Sequence, residues 1–199
     1  MNNMQTEIEA KWLNIELDDI RRKLNGLEAK LVHPERLMVR QTYDFMDMRL
    51  NKIGGWVRVR DEGDKVTLSF KQLKDRSLYG TKEVTVVVNN FAAADSFLIA
   101  IGLESKSYQE TKRESWQLGS AQIELDTWPW IPSFVEIEAA SEKELKNAAD
   151  KLGFDLASAE HGSVETAYQA VYDVTEKEID GWKEIRFIDV PGWLLEKTK

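Results

Sequence analysis

The chain has 199 residues, no cysteine, and 27 basic against 35 acidic residues, a formal net charge of −8. That length suits one domain with a sizeable core; the missing cysteine excludes a disulfide framework, a thiolate metal site and a cysteine nucleophile, and the acidic balance argues against general nucleic-acid binding, which leaves a basic footprint. No apolar run approaches the ~20 residues of a membrane-spanning helix, and Met1–Lys11 lacks the basic start and apolar middle of a signal peptide, so the expectation is a cytoplasmic protein with no membrane partner.

In chain order, residues 5–13 read as a first strand. Leu17, Ile20, Leu24, Leu27 and Leu31 recur at helical spacing, and His33-Pro34 is the expected stop, since the residue before proline avoids the α region. Strands are expected over 38–50, 56–60 and 66–73, with turns at Lys52–Gly55 and at Asp61–Asp64, the latter a hairpin carrying Gly63. A fifth strand, 81–88, is rich in β-branched residues. Asn89 or Asn90 can cap a helix over 91–101, which Gly102 ends. A long strand over 104–118 turns at Gly119-Ser120 into 121–127. Trp128–Pro132 is a loop because its two prolines interrupt any ladder, and 134–139 is the eighth strand. Ser141 and Glu144 carry the capping-box signature of a helix that ends at Gly153. Helical stretches follow near 163–173 and 175–183, and 185–199 shows no single pattern. The reading is α+β, one domain over 1–199 with about eight strands and flanking helices.

Splitting each strand by parity gives an apolar face and a charged one. Glu7, Glu9 and Lys11 oppose Ile8, Ala10 and Trp12. Arg58 and Arg60 oppose Val57 and Val59, and Lys71 opposes Leu68 and Phe70. Glu83, Thr85 and Val87 oppose Val84, Val86 and Val88. Arg113 shares a face with Thr111 and Ser115, with Lys112 and Trp116 opposite. Glu124 and Asp126 oppose Ile123 and Leu125, and Glu136 and Glu138 oppose Val135 and Ile137. An open antiparallel sheet with one solvated face accounts for this alternation. A closed barrel with the charges inside accounts for it too, and for the sorting of acids (7–9, 124–126, 136–138) from bases (58–60, 71, 113). Sorted like charges in a lumen need counter-ions. The bases ask for a polyanion and the acids for a divalent cation, with carboxylate and phosphate oxygens as hard ligands for Mg²⁺ or Mn²⁺.

Glu7-Ile-Glu9-Ala-Lys11, Arg58-Val-Arg60, Lys71, Arg113, Glu124-Leu-Asp126 and Glu136-Ile-Glu138 follow the order and spacing of the CYTH superfamily, the triphosphate tunnel metalloenzymes, which this sequence resembles over most of its length. The resemblance implies an eight-stranded antiparallel closed β-barrel, a triphosphate tunnel, with flanking helices, and residues 155–199 packed on or capping it. It implies that Lys11, Arg58, Arg60, Lys71 and Arg113 grip a triphosphate-containing small molecule, and that Glu7, Glu9, Asp126, Glu136 and Glu138 hold Mg²⁺ or Mn²⁺. Glu9, Lys11, Arg60 and Lys71 would be the catalytic set, with Glu83, Glu124 and Lys112 as further candidates. The family often has lysine where this chain has Thr111; Lys112 is adjacent but of the wrong parity, so it serves only if a bulge re-aims it.

The implied activity is metal-dependent hydrolysis of a triphosphate. The alternative is class IV adenylate cyclase chemistry, disfavoured because Met1–Thr6 has no His-Phe element ahead of the first strand; a non-catalytic polyphosphate or nucleotide binder is the third reading. Monomer and homodimer are both open. Blander roles suit the remaining residues: His33 and His161 in turns, Asp61, Glu62 and Asp64 in a solvated hairpin, Tyr168 and Tyr172 in packing, Trp128 and Trp130 pinning a loop over the barrel end, and Lys74–Arg76 in a turn whose cation could guard the tunnel mouth.

Overall fold

The computed structural model describes residues 4–199. Its strands are β1 (Gln5–Thr6), β2 (Glu9–Trp12), β3 (Lys30–Phe45), β4 (Gly55–Asp61), β5 (Val66–Leu73), β6 (Thr81–Val88), β7 (Leu103–Leu118), β8 (Ala121–Thr127), β9 (Phe134–Glu138) and β10 (Glu184–Ile185); its helices are α1 (Leu17–Gly26), α2 (Phe91–Ala100), α3 (Glu142–Leu152), α4 (Glu165–Val171), α5 (Glu176–Asp180) and α6 (Gly192–Leu195). The sheet runs β1-β6-β5-β4-β3-β7-β8-β9-β2, all pairs antiparallel, with β10 added in parallel to β7.

The two ends of that order, β1 and β2, are consecutive in the chain, so the sheet curls into a tunnel. The link is direct: the Glu7 N–H donates to Thr81 O at 3.0 Å on one side, and the Ala139 N–H donates to Ile8 O at 3.1 Å on the other. The expected strand 5–13 is therefore one stave broken at Glu7-Ile8; with β3–β9 it gives the eight strands of the expected barrel. The outer edge of β2 is covered by Glu160, whose backbone exchanges two bonds with that of Lys11 at 2.8 and 2.9 Å.

Two expectations needed correction. The first helix ends at Gly26, because Glu28 adopts φ +55°, and Leu31, His33 and Pro34 lie in β3. Leucines four apart fit a helix stripe, but Leu31 sits opposite Trp116 of β7 instead. Pro34 is tolerated because the β3–β7 register shifts between His33 and Arg36, where no ladder N–H is required. At the other end β3 stops at Phe45, and 46–50 belong to the turn leading to Gly54. The tail adds β10 and α6. Elsewhere the capping chemistry is as expected: Asn90 Oδ1 accepts from the Ala93 N–H at 2.7 Å, Ser141 Oγ accepts from the Glu144 N–H at 3.3 Å, and Gly102 and Gly153 take φ +95° and +80° past their helices.

The apolar faces point outward, and helices cover most of them, the valines Val84 and Val86 of β6 remaining exposed. Trp12, Trp116, Ile123, Leu125, Val135 and Ile137 form a core with Ile20 and Leu24 of α1 and Leu145 and Leu152 of α3. Tyr43 and Val59 pack under Ala94 and Leu98 of α2. A third cluster joins the 128–134 loop to the C-terminal region: the Trp182 ring meets Tyr168 edge-on at 5.1 Å and Trp130 at 6.1 Å, and the Tyr168 and Tyr172 hydroxyls donate to Pro129 O at 3.0 Å and to Trp130 O at 2.5 Å. Trp182→Ala removes a large buried ring that three aromatic neighbours surround, and is expected to cost about 3–5 kcal/mol, measured by denaturant unfolding at pH 7. Among the described residues no helix is long and apolar enough to cross a membrane.

Candidate active site: a charged tunnel

Because apolar residues face the helices, the opposite parity faces the lumen, a cavity of about 1240 Å³. Antiparallel alternation puts the 46–54, 74–80 and 128–133 connections at one end, the near mouth, and the 62–65 and 119–120 turns at the other, the far mouth. The lumen gathers Glu7, Glu9, Lys11, Arg58, Arg60, Lys71, Glu83, Arg113, Asp126, Glu136 and Glu138 along its wall. Glu124 also points inward, 2% exposed, bonded by the Ser115 hydroxyl at 2.6 Å.

Lys112 does not join them. β7 runs without a bulge from Thr111 to Leu118 against both β3 residues 36–38 and β8, so parity holds and Lys112 is outside, its ammonium 5.3 Å above the Phe187 ring. The charge missing at Thr111 comes from Arg40 of β3, which the mixed pattern of 38–50 does not mark. Its guanidinium donates to Thr111 Oγ1 at 2.8 Å and stacks 4.6 Å from the Trp128 ring. Glu62 was also misjudged as a solvated turn residue: it is 5% exposed and accepts from Arg60 Nη2 at 2.6 Å and the Thr67 hydroxyl at 3.0 Å. An Arg-x-Glu alternation running into the hairpin was the available signal.

The ion pairs form two groups. Near β2 and β9, Lys11 Nζ lies 3.0 Å from Glu136 and 3.3 Å from Glu9, and donates to Gly162 O at 2.7 Å. Arg113 grips Asp126 with two bonds of 2.7 and 2.6 Å and reaches Glu136 at 3.5 Å. Across the lumen, Lys71 Nζ lies 2.9 Å from Glu7 and 2.7 Å from Glu83. Burial works against the charge on Lys11 and Arg113, yet their carboxylate neighbours hold both above the usual range. Glu136 is held low against burial by Lys11 and Arg113. Glu7 and Glu83 compete for Lys71: burial pushes Glu7 up to about 8, while Lys71 and Arg58 overcome burial and keep Glu83 ionised.

The arginines of β3 and β4 are different. Arg40 sits directly opposite Arg60 in the ladder. Burial, then repulsion from Arg58, Arg60 and Arg113, pushes Arg40 well below its usual value, and burial and Arg60 lower Arg58 to about 10. Guanidinium groups remain charged in proteins, so this pressure is energy stored in the fold. The Nε atoms of both Arg40 and Arg58 are buried without a hydrogen-bond partner. Four arginines thus converge with unspent donors, an arrangement suited to several oxygens of one polyanion.

The near mouth carries a second set of charges on the C-terminal helices. Arg76 bridges to Glu176 and Gln169, and Asn51 Nδ2 donates to Asp180 at 2.9 Å. Among the described residues Glu165 Oε2 is buried and unpartnered; burial, with Asp180 and Glu176 nearby, outweighs a backbone hydrogen bond and Arg76 and pushes its carboxyl up to about 7. Its folded value lies above its ordinary 4.5, so its contribution to stability is full below pH 4.5 and is lost as pH rises through 7. Glu165→Gln is accordingly expected to leave Tm unchanged at pH 4.5 and to raise it by a few degrees at pH 8, read by calorimetry at both pH values.

As a site for a divalent cation, the lumen offers carboxylate oxygens together with hydroxyl and amide oxygens, the hard donor chemistry of Mg²⁺ or Mn²⁺. Glu9 faces Glu138 and Lys11 faces Glu136 across β2–β9, and burial, Glu136 and Glu9 push the Glu138 carboxyl up, an excess of negative charge that a cation would relieve. Among the described residues no three acidic or histidine side chains already converge on one point; Glu9 and Glu136 are drawn to Lys11. By donor type and wall position, Glu9, Glu136 and Glu138 fit the group.

The sequence matches no curated relative. Solved structures share the fold: the PH1012 protein of Pyrococcus horikoshii OT3 (TM-score 0.67, 20% identity, 81% of this chain and 98% of that one), a Vibrio parahaemolyticus protein described as a candidate adenylate cyclase (0.72, 17%, 83% and 98%), and a Hippeastrum protein described as a candidate adenylyl cyclase with a dominant triphosphatase activity (0.54, 14%, 87% and 94%). The family model of the CYTH domain matches residues 5–167, from β1 into α4. Covering every strand that builds the tunnel wall, that match establishes that the chain belongs to the CYTH domain family.

Proposed function

We propose that the chain hydrolyses a triphosphate, inorganic tripolyphosphate or an organic triphosphate, inside the tunnel with Mg²⁺ or Mn²⁺ bound. One observation carries this reading: Arg40 sits opposite Arg60 in the lumen wall, and among the described residues Arg40 and Arg58 bury Nε groups without a hydrogen-bond partner, donors that a chain of phosphate oxygens would engage. Arg58, Arg60 and Arg40 grip the phosphates from β3 and β4, and Lys71, Lys11 and Arg113 hold them from the remaining walls. These fixed cations stabilise charge that develops on the phosphoryl oxygens and leaving group. Glu9, Glu136 and Glu138 would hold the metal, with Glu7 and Asp126 beside them. The metal supplies Lewis-acid polarisation of phosphate oxygens and activation of water. Residues 155–199 belong to the same domain and cap the near mouth, where Gly162, Glu165 and Asp180 line the cavity.

Incubation with tripolyphosphate, and separately with ATP, in Mg²⁺ or Mn²⁺ tests the proposal, with phosphate, pyrophosphate and cyclic AMP all measured. Metal-dependent phosphate release without cyclic AMP supports it. Cyclic AMP and pyrophosphate from ATP would replace it with the cyclase, and tight binding without any product would replace it with a binding module.

A further inference from the structure

Behind the arginine cluster, at the far mouth, a smaller cavity of about 220 Å³ opens. It shares Arg60, Glu62 and Arg113 with the main lumen, so the two spaces are adjoining rooms with a common wall. Lys65 also lines both spaces, and Arg36 lines the small one alone; the small cavity has two carboxylates, Glu62 and Glu124, which are already engaged: Glu62 by Arg60, Glu124 by Ser115. Arg36 has an unusual position. On β3 it lies opposite Arg113, and its guanidinium is held by neutral acceptors, Glu62 O at 3.0 Å, Ser115 Oγ at 3.2 Å and Arg113 O at 3.4 Å. Among the described residues it makes no ion pair within 4.0 Å. Three bonds lock the group in place without neutralising it. Lys65 stands at the rim, half-exposed, 3.7 Å from Glu62.

A positioned guanidinium without an ion pair among the described residues, a half-exposed lysine and two shared arginines around a small polar space are what a single tetrahedral oxyanion requires. We propose that the far mouth is a second anion site that takes inorganic orthophosphate, and that phosphate split from a triphosphate in the tunnel leaves past Arg36 and Lys65. The exit role rests on the triphosphatase reading; the binding site does not.

The test separates them. The full-length protein is held in EDTA with one equivalent of tripolyphosphate, which cannot turn over without metal, and orthophosphate is titrated in by calorimetry. One phosphate per chain is expected to bind, with affinity lowered at least about tenfold in Arg36→Gln and severalfold in Lys65→Ala, while each variant keeps the wild-type circular dichroism and its tripolyphosphate affinity within about twofold. Absence of phosphate binding, or equal binding in wild type and in a folded Lys65→Ala and Arg36→Gln, overturns the site. In turnover with Mg²⁺, orthophosphate is expected to inhibit without competing with tripolyphosphate, and Arg36→Gln to weaken that inhibition by the same factor. Purely competitive inhibition would overturn the exit role even where the binding site stands.

Discussion

Arg40→Met is expected to lower kcat/KM for tripolyphosphate by about 10²–10³-fold, the usual consequence of removing one preorganised donor, while the folded protein becomes no less stable. The sign on stability follows from the surroundings. Among the described residues Arg40 makes no ion pair within 4.0 Å; its charged neighbours are Arg58, Arg60 and Arg113, opposed by Asp126, and its direct bond is to a threonine hydroxyl. Methionine keeps contact with Trp128 and removes an uncompensated buried charge, a change that is neutral or stabilising by about 1–3 kcal/mol in comparable cases. Steady-state kinetics and denaturant unfolding on the same preparation check both halves. A variant that loses activity and stability together would mean that Arg40 is a structural strut.

Glu136→Gln is expected to fail in both respects. Glu136 lies between Lys11 at 3.0 Å and Arg113 at 3.5 Å, and its carboxylate is held low by both. The amide keeps the shape but strips a charge from a buried network, a loss on the order of 3–5 kcal/mol when one partner of a buried pair is removed. It also removes an oxygen donor from the wall that fits a divalent cation, so kcat should drop by at least about 10³-fold. The contrast between the two variants is informative: Glu136 is held by Lys11 and Arg113, whereas Arg40 makes no ion pair within 4.0 Å among the described residues and is left for a polyanion to neutralise. Added tripolyphosphate should therefore raise the Tm of wild type, since it binds the native state alone, and raise that of Arg40→Met much less.

Much of this was legible from parity. In β4, β5, β6, β8 and β9 the alternation is uninterrupted, so the inward side chains Arg58, Arg60, Lys71, Glu83, Asp126, Glu136 and Glu138 could be named from spacing two apart. Parity also decided against Lys112, whose strand carries no bulge there. Arg40 was hidden for a different reason. It lies inside the expected strand 38–50, but there both parities mix apolar and polar residues, Met38 with Arg40 and Thr42 on one, Val39 and Tyr43 with Gln41 on the other, so alternation alone does not mark the inward face. Glu62 was hidden by its company, since Asp61, Gly63 and Asp64 are solvated turn residues and only Glu62 turns back under the barrel. The break at Glu7-Ile8, which lets one stave close the ring through Thr81 and Ala139, and the covering of β2 by Glu160 depend on contacts between residues far apart in sequence and leave no local pattern.

The most direct measurement is calorimetric titration of tripolyphosphate into metal-free wild-type protein and into Arg58→Ala and Arg40→Met. The account predicts one tripolyphosphate bound tightly per chain in the wild type, and affinity lower by about tenfold or more in each variant, from the loss of a charge-assisted contact. Equal affinity in all three proteins, or no binding to the wild type, would contradict the assignment of the arginine-lined lumen as a triphosphate site.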